Sequence, residues 1–369
     1  MAMAAVSLVV PRAAGLIDMN EGRDKVTVNA DYGVSYDSNL FARSNSPGDT
    51  DQTLELGANY IRQAGIFGFN ASVSITTARF ERYSDQDYTN PSLKVALTKN
   101  DGRLTGAFSA AAQRESSSND AANIRANSWH YSANLNLRYP VNDRYYLTGT
   151  SDFSIRNYTP NTPLYNLSSY GESVDLYYIY SSKLDLLGGY RIRWGEAAGG
   201  SGTRDEAFTI GSTGAILPKL SGTVRAGYQT RDESGPDGGH YDDLTGDFML
   251  AWPLNKRITF NFQTSKDFMT AATDVSVDAT SFDLSATVKP NFRVKIALTG
   301  EAGYTTSRYL GSKGAGREDQ TLSFLVKLSI PIKSHLAAGL SYGYLTNASN
   351  FAPSKYVRRT ASLDLSVHF

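Results

Sequence analysis

From Lys25 to Phe369 apolar and polar residues alternate with a period of two. In the clearest run, Phe292, Val294, Ile296 and Leu298 share one face, and Arg293, Lys295, Ala297 and Thr299 the other. Thr321–Ile330 divides the same way: Leu322, Phe324, Val326, Leu328 and Ile330 oppose Thr321, Ser323, Lys327 and Ser329, with Leu325 the exception. The chain closes on Leu363, Leu365, Val367 and Phe369 against Ser362, Asp364, Ser366 and His368. A helix would bring apolar residues together three and four apart, so these segments are strands. About eighteen can be counted, with about sixteen as the alternative if Pro91–Thr98 and a neighbour are not both strands. They begin near Lys25, Gln52, Ile66, Pro91, Leu104, Asn127, Arg144, Ser169, Lys183, Asp205, Leu220, Tyr241, Arg257, Val275, Asn291, Asp319, His335 and Val357.

The connections alternate in length. Tight turns rich in Asn, Asp, Gly and Pro fall at Gln63–Gly65, Asn100–Gly102, Val141–Asp143, Pro218–Lys219, Pro253–Lys256, Lys289–Asn291 and Pro331–Ser334. Longer polar stretches lie between them, among them Ser116–Ala126, Gly195–Arg204, Arg231–Gly239 and Gly311–Glu318. An even strand count with this alternation brings both termini to the short-turn side. In a membrane barrel that side is the periplasm. A soluble sandwich would pack its inner faces with apolar groups, whereas the polar faces here carry Arg, Lys, Asp and Gly together. No blade motif repeats as a propeller requires. The expected fold is all-β: a transmembrane antiparallel β-barrel in a bacterial outer membrane, with a polar lumen.

Composition changes this picture little. Tyr (23) and Gly (32) are abundant and Cys is absent, which removes disulfides and thiolate chemistry. Mean hydropathy is −0.34, but alternation cancels in any averaging window, so the value does not exclude a barrel. With 36 basic and 36 acidic residues, no nucleic-acid partner held by phosphate neutralisation is expected. Residues 1–24 read as an export remnant or a periplasmic or lumenal tail, and residues 25–369 as the barrel.

Aromatic residues sit where membrane interfaces would be. Trp129, Tyr131 and Tyr139 share a face at the two ends of one strand. Trp194, Tyr228 and Tyr304 fall near loop-side ends, and Tyr178, Tyr180, Trp252 and Phe292 near turn-side ends. The terminal pattern Leu363, Leu365, Val367, Phe369 resembles the signal by which the barrel-assembly machinery recognises its clients. The opening strand with Tyr36-Asp37-Ser38-Asn39-Leu40-Phe41, a polar loop and Asp51-Gln52-Thr53 resembles the second putative beta-barrel porin family. That resemblance implies an outer-membrane barrel, often associated with exopolysaccharide genes. It brings no catalytic residues and names a pore without a substrate.

If the apolar faces meet lipid, the others line the lumen. The basic candidates are Arg138, Arg156, Arg191, Arg193, Arg225, Arg293, Lys295 and Lys327; the acidic ones are Asp31, Glu55, Asp152, Asp175, Asp185, Glu301 and Asp364. Arg191, Arg225, Arg293, Lys295 and Lys327 would form a basic arc, and Asp31, Glu55 and Asp364 an acidic one where the barrel closes. A transverse field and simple cross-strand pairing are both open readings. No loop is long enough to form a large inward constriction, so an open or side-chain-lined channel is expected. The expected function is passive passage of small hydrophilic solutes or saccharides. The alternatives are a partner-dependent component of exopolysaccharide export, or a structural or adhesive barrel displaying Phe41, Tyr83, Tyr88 and Tyr165. A hydrolase built on His130, His240, His335 or His368 is a remote reading. No cofactor or metal is expected. Partners would be outer-membrane lipid and lipopolysaccharide, the assembly machinery, and periplasmic export components.

Overall fold

The computed structural model describes residues 17–19, 23–235, 238–290, 295–314 and 316–369. Its barrel strands, in chain order, are β1 (Asp24–Asp37), β2 (Asp49–Ala64), β3 (Phe67–Phe80), β4 (Tyr88–Lys99), β5 (Thr105–Asn119) and β6 (Ile124–Pro140). There follow β7 (Tyr145–Tyr158), β8 (Leu167–Ser181), β9 (Leu184–Ala197), β10 (Gly202–Leu217), β11 (Leu220–Glu233) and β12 (His240–Pro253). The last are β13 (Ile258–Ala271), β14 (Val275–Val288), β15 (Ala297–Tyr309), β16 (Glu318–Lys333), β17 (Leu336–Ser349) and β18 (Tyr356–His368). Each pairs antiparallel with the next, and β18 pairs with β1 through Leu363↔Val34 and Asp364↔Gly33, so the 18-strand sheet is closed. Closure removes every free edge, which is what a sheet in hydrocarbon requires.

The alternation sets two faces. Outward residues include Phe208, Leu244 and Ile210, the last 75% exposed, an arrangement suited to lipid rather than water. Aromatic pairs flank this band: Tyr170 stacks on Trp194 at 5.8 Å toward the loops, and Trp252 lies 5.6 Å from Phe260 toward the turns. At the C-terminus, the Phe369 amide and carbonyl exchange two 2.9 Å hydrogen bonds with Val28, and its ring stacks on His335. The terminal aromatic thus sits in the closing seam.

The strand starts read from the sequence agree within three residues, with one exception. In the segment that alternates most clearly, β15 begins at Ala297, and the expected start, Asn291, lies outside the described residues. Pro290 offers no amide to a ladder, and Lys295 and Ile296 belong to the connection before β15. Arg293, Phe292 and Val294 lie outside the described residues, as do residues 1–16 and 20–22 of the expected tail. A three-residue strand, Ile17–Met19, pairs with Asp24–Val26 of β1.

Candidate functional site: the lumen wall and its bridged mouth

Contacts between strands that are not neighbours identify the inner face. Arg225 on β11 donates two 2.9 Å hydrogen bonds to Asp175 on β8, three strands away, and a third to the Tyr177 hydroxyl. Only the lumen connects these strands. Following the register round the ring from this pair places Asp31, Glu55, Arg138, Asp152, Arg156, Asp175, Asp185, Arg191, Arg193, Arg225, Glu301, Lys327 and Asp364 on the inner face. Lys295 is exposed in the connection before β15, and Arg293 is outside the described residues.

The expected basic arc is not a line of free cations. Arg191 meets Asp267 at 2.8 Å, and Arg193 bridges Asp267 at 3.0 Å and Asp205 at 2.6 Å. Asp205 also receives two bonds from Arg231, at 2.6 and 2.7 Å, with both side chains 2% exposed. Elsewhere Arg156 meets Glu115 at 2.5 Å and Lys327 meets Glu301 at 3.2 Å. Arg138 lies 3.9 Å above the Tyr146 ring, whose hydroxyl donates to Asp185 at 2.8 Å. Pairing across the wall, rather than a one-signed arc, is what the geometry supports.

At the closing seam the acids accept hydrogen bonds from small neutral groups, and Asp31 stands opposite Glu55 in the register. Asn29 donates to Asp31 at 2.9 Å, Thr76 to Glu55 at 3.2 Å, and Ser362 to Asp364 at 2.9 Å. Asp152 faces Gly171, where a Cβ would collide with its carboxylate. Sequence reasoning missed Glu115, Asp205, Arg231 and Asp267. Each has the parity of the residues it did select, but each lies near a strand end that reads as loop.

The loop side is bridged. Arg317, between β15 and β16, donates to the carbonyls of Asp120 and Ala121 at 3.0 and 2.9 Å. Those two residues join β5 to β6, on the opposite side of the ring. Asn123 donates to the Ala42 carbonyl and accepts from Ser354, both at 2.8 Å. Ala126, Leu164 and Ala272 form an apolar cluster from three separate connections or strand ends. The β13–β14 hairpin supplies the last of these. Its pairing with β12 stops at Gly246↔Lys266, while β13 and β14 stay paired to Ala271↔Val275. Freed from β12, the carbonyls of Phe268 and Met269 accept from Arg193 at 2.6 Å and Arg231 at 2.7 Å. The tip is tied by the Ser201 amide and Lys313 to Asp274, at 2.9 and 2.5 Å. The expectation concerned loops only, and strand ends do what no loop does here. The constriction comes from strand ends that lean inward, not from a long loop. Beside the hairpin is a cavity of about 140 Å³ lined by Asp175, Arg191, Arg225, Asp247 and Asp267.

His130 comes nearest to a hydrolytic arrangement. Its Nε2 lies 3.0 Å from the Ser154 hydroxyl and its Nδ1 3.6 Å from Glu115. The closer partner of Glu115 is Arg156, and the backbone amides beside Ser154 belong to the β6–β7–β8 ladders. An oxyanion needs free, preorganised donors, and this wall does not offer backbone ones.

Solved outer-membrane proteins share the fold. The protein opdK from Pseudomonas aeruginosa aligns over 94% of this chain and 99% of its own, at 9% identity and a TM-score of 0.51. OpdO from the same organism aligns over 94% and 97%, at 11% identity and a TM-score of 0.50. No curated protein matches. In sequence, residues 199–369, from β10 to the terminal Phe, match the family described as putative beta-barrel porin 2.

Proposed function

We propose that this protein is an outer-membrane channel through which small hydrophilic solutes, saccharides among them, diffuse. The observation that carries this reading is the closed ring of 18 strands with a mostly polar inner row, interrupted by the Tyr146, Tyr177 and Leu187 cluster. A ring of this size is wider than its own side chains can fill, which leaves room for water. In this reading the short turns and both termini face the periplasm, and the bridged mouth faces outward and narrows entry. The inner row supplies hydroxyls, amides and paired charges, all able to replace water around a polar solute. Leu363, Leu365, Val367 and Phe369 act as the assembly signal, and lipopolysaccharide surrounds the loop-side band.

Single-channel recording of the folded protein in a planar bilayer tests the reading, with liposome swelling in small sugars as its companion. Steady openings and swelling are expected. Silence from protein that is demonstrably folded and inserted would sink passive diffusion. The bridge from Arg317 to Asp120 and Ala121 favours a second reading, a conduit opened only by an export partner. In that case conductance would appear on loosening the bridge, as in Arg317→Ala, and not in the parent chain.

A further inference from the structure

The two ends of the barrel differ in charge. On the loop side both signs occur and meet: Lys313 with Asp274, Arg79 with Asp87 and Arg317 with Asp319. On the turn side one sign dominates. Arg103, Arg144, Lys183, Lys219 and Lys256 stand in successive short connections, all exposed. The connection before β15 carries Lys289 and Lys295, and the remaining two turns are flanked by Arg62 and Lys333, again exposed, although Arg62 meets Asp24 at 3.8 Å and Asp185 stands beside the Lys183 turn. Asp101 and Asp143 are the only acids in these connections. Since the chain as a whole is neutral, the excess of positive charge at this rim is a matter of placement.

We propose that this basic ring binds the phosphate headgroups of anionic phospholipid in the leaflet at the turn side. Its distribution favours lipid over a macromolecular partner. A protein or polymer docking on one side would call for a patch, whereas these cations follow the whole circumference, as a lipid annulus does. They also stand next to the turn-side aromatic band. Arg103 lies 4.9 Å from the centre of the Tyr139 ring and donates to the Pro140 carbonyl, and Tyr145 packs 5.2 Å from Tyr178. Long basic side chains at that level lay their stems along apolar surface and extend their charge to headgroup phosphates. Attraction of a basic residue to an anionic surface is worth on the order of fivefold in affinity, and it is screened by salt. The proposal rests on the barrel's seat in a membrane and not on its being a channel.

The test is native mass spectrometry of the full folded chain, released from mixed micelles of phosphatidylglycerol and phosphatidylcholine at equal concentration. The parent protein should retain phosphatidylglycerol several-fold over phosphatidylcholine. A variant with Lys183→Ser, Lys219→Ser, Lys256→Ser and Lys333→Ser should lose most of that preference. These sites are exposed in or beside turns, and heat-modifiable gel migration checks that the variant folds. A second variant, Arg79→Ser with Lys313→Ser on the loop side, should keep the preference. Equal retention of the two lipids by the parent would overturn the proposal. So would an undiminished preference in the turn-side variant. Retention of polygalacturonate without a preference between the lipids would also overturn it, and would assign the ring to an acidic polymer instead.

Discussion

Two sectors of the lumen wall, β8–β13 and β17–β3, lie opposite each other in the ring of strands and line it in different ways. The first is built from large charged groups that hold one another: Asp175 with Arg225, Asp205 with Arg193 and Arg231, Asp267 with Arg191 and Arg193. The second is built from small residues. Gly339, Ser341, Ser362, Gly33, Thr53, Gly57 and Ser74 share its inner face with Asp31, Glu55 and Asp364, which have no cation within ion-pair distance among the described residues; a charged pair, Arg358 with Asp37 at 2.6 Å, stands at its loop end. The difference separates two uses of charge. In the paired sector charge fastens the wall and anchors the β13–β14 hairpin, so it contributes little net field. In the small-residue sector, below the Arg358–Asp37 pair at its loop end, charge is left to the lumen, where it acts on whatever passes.

If the paired sector is structural, removing one cation there should cost the most. Arg231→Ala leaves Asp205 buried with a single partner and uncaps the Met269 carbonyl. Breaking a buried pair costs about 3–5 kcal/mol, and Arg193 remains, so about 3 kcal/mol is expected. Urea unfolding of the micelle-folded protein measures it, and a loss below about 1 kcal/mol would make the pair ornamental. Next comes Gly189→Ala. A Cβ there would collide with the Asp175 carboxylate and displace it from Arg225, for about 2 kcal/mol of overpacking. The outward Gly149→Ala, whose Cβ would meet nothing within 4 Å, is the control and should be near neutral.

A smaller effect should come from the Asp175–Arg225 pair taken as a unit. The double-mutant cycle Asp175→Asn, Arg225→Met should give a coupling of about 1 kcal/mol, since Asp175 is buried but the Arg225 side chain is partly wetted by the lumen. The double variant, having lost one charge of each sign, should leave the cation-to-anion permeability ratio of the channel unchanged. A shifted reversal potential would show that this sector does contribute a field.

Most of the barrel was legible because a strand buried between lipid and water must alternate at every residue. The register then followed from turns such as Asn100-Asp101-Gly102 and Pro218-Lys219. Lys295 and Ile296 show the limit. Alternation records which faces suit a sheet, yet these two residues stand in the connection and the pairing of β15 starts at Ala297. The inner row was legible for the same reason as the strands, and Arg191, Arg193 and Arg225 were found by parity alone. Their partners were not. Asp267 reaches Arg193 across four strands, a distance set by the curvature of the ring and by the release of β13 from β12. The local signal was there but was not read: Gln263-Thr264-Ser265-Lys266-Asp267 interrupts the alternation of β13 where the release occurs, with Lys266 at an outward position. The bridge from Arg317 to Asp120 was hidden, because its two connections are short and lie on opposite sides of the ring.

The smallest expected effect on stability tests the other half of the comparison. Asp364→Asn, in the small-residue sector, removes a charge that no cation among the described residues holds and keeps an acceptor for the Ser362 hydroxyl. Stability should change by less than about 0.5 kcal/mol, as at other sites without buried partners. The permeability ratio should nonetheless move toward anions, because an unpaired carboxylate on a water-filled wall attracts cations at a range set by screening. Glu55→Gln should act in the same direction, and the two should add, as they stand on strands separated by β1. High salt should erase both shifts. If Asp364→Asn instead costs several kcal/mol and leaves selectivity untouched, the carboxylate is a fastening of the closing seam. The two sectors would then differ in the size of their side chains and not in the use of their charge.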